Sequence, residues 1–338
     1  MFEYHQGGPE PHTWQGAEEL EGLLPPHRLI SSRGSIDRYG FLHVLSQLCG
    51  MKRQLRPFAE WVHGWIWDQH PTVESLAFAS LLRSVPVVVG NSIECEVLKS
   101  AGFREVLIGG LPFGYIERQH NSRNNHALLA YPPHSAEVER LSGQQENYMD
   151  YLHSIRHKFD GIFVSIFYLD WGGPMHKAAE ARGLNVIQGA RPDDANSLYR
   201  TRAMLDSFKH VTSNTMGSHF VYALRAGCCF SFSGPIFQYE EEMYLGNGNA
   251  NKHSQACVKR LMEIQSEVYL RGRFGRFFVD HPSDGVVDEV YGEDEVGVRD
   301  VLSEANIRRI LGWTTTGQLR GYSRGASNRT RRLLQKKL

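Results

Sequence analysis

The segment His210–Pro235, HVTSNTMGSHFVYALRAGCCFSFSGP, decides how the chain is read. A short apolar run ends in Thr212, Ser213, Asn214 and Thr215. Phe220, Val221 and Leu224 then fall on one face of a helix. Gly227 stops that helix, and Cys228–Phe232 reads as the next buried strand. The polar cluster therefore stands where a strand turns into a helix. Free backbone N–H groups and the positive end of the helix dipole point outward there, and phosphate is a common occupant. One helix cap needs only one such side chain, and Ser213 or Thr215 would serve. Four in a row, followed by Gly217, Ser218 and His219, exceed what a cap requires and suggest a ligand.

The same alternation extends outward from this segment. Upstream, the spacing predicts a helix over 195–207, a strand at Leu184–Gln188, and a helix from Pro174 that Gly183 ends. A strand at Asp160–Leu169, a helix over 144–158 and a strand at Ala127–Tyr131 precede them. Downstream, 252–271 reads as one longer helix. The wholly polar run 117–126 reads as a linker. Before it, a strand begins at Leu29-Ile30 and a helix covers 38–50. Phe58–Trp67 suits a strand and its loop, and Val73–Leu82 a helix. Val85–Val89 is a buried strand, Ser92 opens a helix that ends at Gly102, and Val106–Ile108 is a further strand. The expected fold is α/β, with two Rossmann-like doubly wound domains. The expected division is 1–117, then 118–300, then a C-terminal helix and basic tail over 301–338.

The length of 338 residues and an apolar content of 41% allow two domains with real cores. A net charge of zero gives no support for bulk nucleic-acid binding. The charge is uneven, however. After Glu304 there are nine basic residues and no acidic one, which leaves 28 basic against 37 acidic residues in the rest. Five cysteines with no metal spacing read as reduced thiols of a cytoplasmic protein. The polar, proline-containing N-terminus reads as lacking a signal peptide, and no apolar run approaches the ~18 residues of a membrane span.

Ligands of doubly wound sheets bind at the carboxyl ends of the strands. That edge carries His134 and Ser135 after one strand and Asp170 to Gly173 after the next. Gly189, Arg191 and Asp193 come next, then Ser213, Asn214, Thr215, Gly217, Ser218 and His219, and Ser233-Gly234 complete the set. His134 follows two prolines, whose stiffness suits a preorganised phosphate contact; a plain surface histidine is the alternative. His219 could reach the same phosphate or simply pack. In the first half, Trp61-Val62-His63-Gly64-Trp65-Ile66-Trp67-Asp68 places a histidine beside a glycine and near an acid. His63 could act as a general base and Asp68 could orient or replace it. The alternative is that the tryptophans are core and His63 is a packing residue. The run Glu240–Glu242 reads as a solvated face. No dinucleotide-binding or P-loop glycine pattern is present.

Taken with these residues, the chain resembles the GT-B glycosyltransferases over 27–313. In that family two Rossmann-like domains face a cleft, with the nucleotide donor on the second and the acceptor on the first. Thr212–Pro235, with Tyr222-Ala223-Leu224 in its helix, resembles a donor-domain segment of bacterial surface-polysaccharide transferases. Pro133-His134 and the Ser213/Thr215 pair are similar to the His-Pro and Ser/Thr motifs that hold CMP in sialyl- and Kdo-type enzymes, with the first in reversed order. Val62-His63-Gly64 and the Leu98–Pro112 region are similar to CDP-glycerol glycerophosphotransferases, which have Trp-His-Gly. The resemblance implies a cytidine-nucleotide sugar as donor, a surface-polysaccharide or lipid-linked saccharide as acceptor, and no cofactor beyond the donor. It implies no metal, with Asp193-Asp194 the residues that keep one open. Donor contacts fall to His134, Ser135, Ser213, Asn214, Thr215, Gly217, Ser218 and His219, and catalysis to His63 and Asp68. A polyol-phosphate transferase and a catalytically silent nucleotide-binding protein of the same fold are the alternatives.

The basic tail suggests a peripheral position at an anionic inner-membrane face, where each basic residue contributes ~1 kcal/mol of attraction. Truncation after Gly317 should abolish cosedimentation with anionic vesicles at low salt. Equal binding of the full and shortened chains would show that the tail does not dock.

Overall fold

A computed structural model of the chain describes Trp14 and residues 16–31, 35–118, 123–135, 144–241 and 254–323. Arg324 and the basic residues beyond it, Glu242, and part of the 117–126 linker lie outside these. The chain divides into two compact units. The smaller comprises Leu29–Tyr115, Pro192–Ala195 and the described segment from Gly297; the larger comprises the described residues up to Arg28, Ile116–Arg191 and Asn196–Val296.

In the smaller unit, β1 (Glu60–Trp61), β2 (Val87–Val89) and β3 (Val106–Ile108) pair in parallel in that order. All three valines of β2 are fully buried, as a strand covered on both faces requires. Two helices of this unit are α2 (Phe41–Leu48) and α3 (Ser92–Ser100). Ser92 opens α3 as expected, and Asn91 caps it. Its Oδ1 accepts from the Glu94 N–H at 3.0 Å, while the Glu94 carboxylate accepts from the Gly90 N–H at 2.8 Å. Asn91 thus caps the helix, and Glu94 reaches back past it to the residue before the cap.

The larger unit holds β4 (Asn124–Tyr131), β5 (Gly161–Ile166), β6 (Asn185–Gln188), β7 (Phe208–Ser213) and β8 (Cys229–Phe232). They form one parallel sheet in the order β6-β5-β4-β7-β8. This is a doubly wound order, and the direction of winding reverses between β4 and β7. Helices α4 (Gln145–Ser154) and α5 (Pro174–Ala181) pack Tyr148, Met149, Leu152, Met175 and Ala179 against Leu128, Ala130, Val164 and Ile166. Helices α6 (Ser197–Ser207) and α7 (Ser218–Arg225) flank β7 in sequence. Both units are thus α/β with parallel sheets.

Several expected elements are shorter or absent. Val73–Leu82 is turns rather than a helix, and Ala77 has φ +60°. Thr72 and Ser75 exchange hydrogen bonds between their hydroxyls and each other's N–H groups (2.8 and 3.1 Å), which diverts the backbone locally. The 252–271 helix is two, Gln255–Gln265 and Glu267–Phe274. Ser266 breaks it with an extended backbone and caps the second helix through the Tyr269 N–H. The strand in Phe58–Trp67 shrinks to β1. The 38–50 helix begins only at Phe41, because Tyr39 and Gly40 are left-handed.

The ends of the chain are exchanged relative to the expected division. Helix α1 (Ala17–Leu23) and Trp14 belong with the larger sheet. The Trp14 ring packs edge-on to Phe163 at 4.9 Å and Phe208 at 4.6 Å. Arg200 donates to the Pro25 carbonyl at 2.6 Å. The other end serves the smaller unit. The Phe58 N–H donates to the Leu311 carbonyl, Arg308 donates to the Cys49 carbonyl, and Tyr322 lies edge-on to Phe58 at 5.5 Å. A tail truncation that spares this packing therefore falls after Ser323, not Gly317. All five cysteines are buried free thiols. Among the described residues no helix is long and apolar enough to cross a membrane.

Trp14 is 5% exposed between two phenylalanines. Trp14→Ala should cost about 3–5 kcal/mol, the usual range for emptying such a site. Chemical denaturation should show the loss. A change below about 1 kcal/mol would mean that Trp14 does not help hold the sheet.

Candidate functional site

The two loops that flank the reversal point of the larger sheet begin level with each other. Tyr131 and Ser213 are the last paired residues of β4 and β7. Beyond Tyr131 come Pro132, Pro133, His134 and Ser135. Beyond Ser213 come Asn214, Thr215, Met216 and Gly217, then α7. Ligands of such sheets occupy the crevice outside this point.

The hydroxyls of the β7–α7 turn are already engaged by the fold. Ser213, Asn214 and Thr215 are all 5% exposed or less. Ser213 Oγ lies 2.6 Å from the Tyr131 carbonyl and accepts from the Thr215 N–H at 3.1 Å. Thr215 Oγ1 meets the Tyr239 hydroxyl at 3.0 Å. Asn214 Nδ2 donates to the Pro235 carbonyl at 2.9 Å. None of these side chains caps α7, whose N-cap is Gly217 and which receives no side-chain cap.

Two buried polar atoms of this turn have no partner: Asn214 Oδ1 and His219 Nε2. Each such atom costs about 1–3 kcal/mol unless something satisfies it. His219 stacks on Tyr131 at 5.1 Å and lies near Phe230 at 6.3 Å. Its ring folds back over Gly217, where an added Cβ would sit 3.0 Å from Nδ1. Burial pushes its pKa down to about 3, and the neighbouring His134 adds to this, while a hydrogen bond with the Thr215 backbone works the other way. His219 is therefore neutral near pH 7.

His134 is exposed, with its ring 4.3 Å from Phe167 and Nδ1 3.0 Å from the Ser135 carbonyl. The Ser135 N–H donates to Asp170 Oδ2 at 2.8 Å, which ties this loop to the one after β5. The structure thus gathers His134, Ser135, Asn214, Gly217, Ser218 and His219 at one sheet edge. Tyr131, as the platform under His219, was not among the sequence candidates. Its signal was its place as the last residue of a strand at that edge.

His63 lies in the smaller unit, partly buried and stacked on Tyr39 at 6.2 Å. Tyr39 has φ +59°, a strained setting for a non-glycine residue. Its N–H donates to the Pro192 carbonyl at 3.0 Å, which holds the turn in place. Burial, and then the charge of Arg38, lowers the His63 pKa to about 4. Trp61 and Trp65 are core residues, 1% and 3% exposed, and Trp61 Nε1 donates to the Gly110 carbonyl at 3.0 Å. Asp68 is buried, and its Oδ1 accepts from the His70 N–H at 3.0 Å. Among the described residues no three His, Cys, Asp or Glu side chains are grouped to hold a metal ion. Asp194 is fully buried in the Pro192–Ala195 segment, and the Asp193 carbonyl accepts from the Ile30 N–H.

No protein family and no curated protein matches the chain. Among solved structures it is similar to an S. aureus MnaA–UDP complex, at 9% identity and a TM-score of 0.35, over 85% of this chain and 76% of that one. It is also similar to an S. aureus TarM mutant in complex with fondaparinux, alpha-GlcNAc-glycerol and UDP, at 10% identity and 0.32, over 75% and 50%. An Arabidopsis thaliana UGT complexed with UDP-L-rhamnose gives 11% identity and 0.29, over 80% and 56%. The chain spans about half the length of the TarM and UGT structures. The architecture described above stands on this chain's own strand order and register.

Proposed function

We propose that the larger unit binds a nucleotide-activated sugar, with its phosphates over the N-terminus of α7, and that the protein is a glycosyltransferase. One observation carries this reading. Two unpartnered buried polar atoms, Asn214 Oδ1 and His219 Nε2, belong to the turn at the reversal point of the sheet. A ligand there would satisfy both, and the helix end, equivalent to roughly half a positive charge, favours an anion. The hydroxyls of Ser213 and Thr215 then act as the frame of the turn rather than as the ligand's partners.

In the reaction, an acceptor hydroxyl attacks the anomeric carbon of the donor. The bond from that carbon to the phosphate oxygen breaks, and the nucleotide leaves with the bonding electrons. The helix terminus stabilises the departing phosphate. The hydroxyl proton passes to a base, for which the resemblance offers His63, neutral near pH 7, or Asp68. A cytidine base, and a surface-polysaccharide or glycolipid acceptor, are the finer parts of the proposal. They are supported by the likeness of Pro133-His134 to a donor-binding motif. Docking of the basic tail at an anionic membrane is proposed on its charge alone.

Thermal melts with CMP, CDP, UDP, GDP and NAD test the binding reading. A ligand at ~100 times its Kd adds ~2.7 kcal/mol, which is a shift of several degrees at roughly 2–4 °C per kcal/mol. The largest shift should come from CMP or CDP and shrink in His134→Ala. Ser213→Ala should instead lower the melting point without ligand, because it removes a fold contact. A larger shift with UDP or GDP would replace the cytidine assignment, and no shift with any nucleotide would remove the transferase reading.

His63→Ala should reduce turnover ~100- to 10,000-fold and leave the nucleotide shift intact. The sign of the pH dependence follows from the lowered pKa of about 4. A base is active above its pKa, so kcat at saturating donor should stay level from pH 8 to 5 and fall only as pH approaches 4. A fall centred near the ordinary histidine value of ~6.5 would assign the base to another residue.

A further inference from the structure

We propose that anion binding at the α7 turn and protonation of His219 are a single coupled event, so that the nucleotide site takes up a proton when it fills. This rests on the binding reading above and names how that site is regulated. The geometry supplies the reasons. His219 Nε2 is buried without a partner beside a helix N-terminus that no side chain caps. Among the described residues, every group that the structure places against the ring is neutral or cationic. Tyr131 of β4 covers one face, and its hydroxyl turns to the Met204 sulfur at 3.7 Å. Phe230 of β8 lies beside it. His134, on the loop after β4, acts on it as a charge of the same sign, and among the described residues the Thr215 backbone is the group that favours its protonation.

Without an anion beside it, a proton on Nε2 would therefore be a buried, uncompensated charge next to the positive end of a helix. A phosphate oxygen at the same place reverses each of these terms. It gives Nε2–H⁺ an acceptor, supplies the opposite charge at contact distance, and offsets the helix end. The imidazole gains its proton from solvent as the anion arrives and returns it when the anion leaves. No other bond changes. His219 thus becomes a phosphate donor only in the occupied state, which reconciles a neutral histidine, its Nε2 buried, with an anion site.

The linkage has a definite sign. Where His219 is neutral in the free protein and protonated in the complex, affinity rises as pH falls, by at most tenfold per pH unit for one proton. The test measures Kd for UDP and for CDP by calorimetry from pH 8 to pH 5, in the full chain and in His219→Gln. Glutamine keeps a polar group but cannot gain the proton. Titration of the nucleotide's own phosphate is common to both proteins and cancels in the ratio of their Kd values. That ratio should grow by about tenfold per pH unit over part of the range. At pH 6.5, two buffers of different ionisation enthalpy should show close to one more proton taken up by the unsubstituted protein. Parallel Kd curves with equal proton counts would overturn the coupling and leave nucleotide binding standing. Absence of saturable binding by the folded, unsubstituted chain at every pH would remove the binding reading and the coupling with it. A His219→Asn variant with the same outcome guards against a folding defect particular to glutamine.

Discussion

The larger sheet depends on how it pairs the polar end of its buried strand β7. Thr212 and Ser213 are fully buried at the carboxyl end of that strand, where a parallel sheet is ordinarily apolar. Each hydroxyl left without a partner would cost about 1–3 kcal/mol. Thr212 meets Ser231 of β8, the two hydroxyls 2.9 Å apart, and Ser213 meets the Tyr131 carbonyl of β4. These bonds hold in one register only, because a slip of one residue would turn both hydroxyls to the opposite face. The alignment of Tyr131 with Ser213 follows from this pairing, and with it the level start of the two loops that form the candidate site.

Helix α7 is fixed at its other end as well. The Arg123 guanidinium donates to the Ala226 and Gly227 carbonyls at 2.6 Å each, a cation at the negative end of the helix. Gly292, in the helix Glu289–Val296, lies so close that an added Cβ would stand 2.2 Å from the Arg225 nitrogen. Only glycine permits that approach. The C-terminal end of α7 is thus anchored before any ligand arrives, which limits the ordering cost of binding.

Much of this was legible in the residues. Valines 87–89, the proline-to-glycine punctuation of α5 and the strand–turn–helix around Ser213 each announce their element. What was hidden has physical reasons. The hydroxyls of Ser213 and Thr215 looked outward because sequence gives the type of a side chain but not its partner; a carbonyl on a strand some eighty residues away took the first. Asn91 as the cap of α3 could have been read from Asn-x-x-Glu. The break at Ser266 could have been read from a capping serine followed by Glu267. Tyr39 carries no mark of its left-handed backbone, because the contact that enforces it comes from Pro192. The role of Trp14 was invisible for the same reason: its partners Phe163 and Phe208 are distant in sequence, and an aromatic residue among prolines and glycines reads as irregular.

The exchanged ends of the chain set an order for its birth. The smaller unit is closed by Leu311, Arg308 and Tyr322, which seat on Phe58 and Cys49. A ribosome working at ~5–20 residues per second needs on the order of ten to forty seconds to travel from Tyr115 to Gly297. Throughout that interval the first-made strands wait without the segment that covers them. The larger unit has the opposite history, since Trp14 and α1 exist before the sheet they pack on. Nascent chains of this protein therefore carry two uncovered apolar surfaces at once, one at Phe58 and one at Trp14. Holding chaperones have their clearest targets there while synthesis is under way.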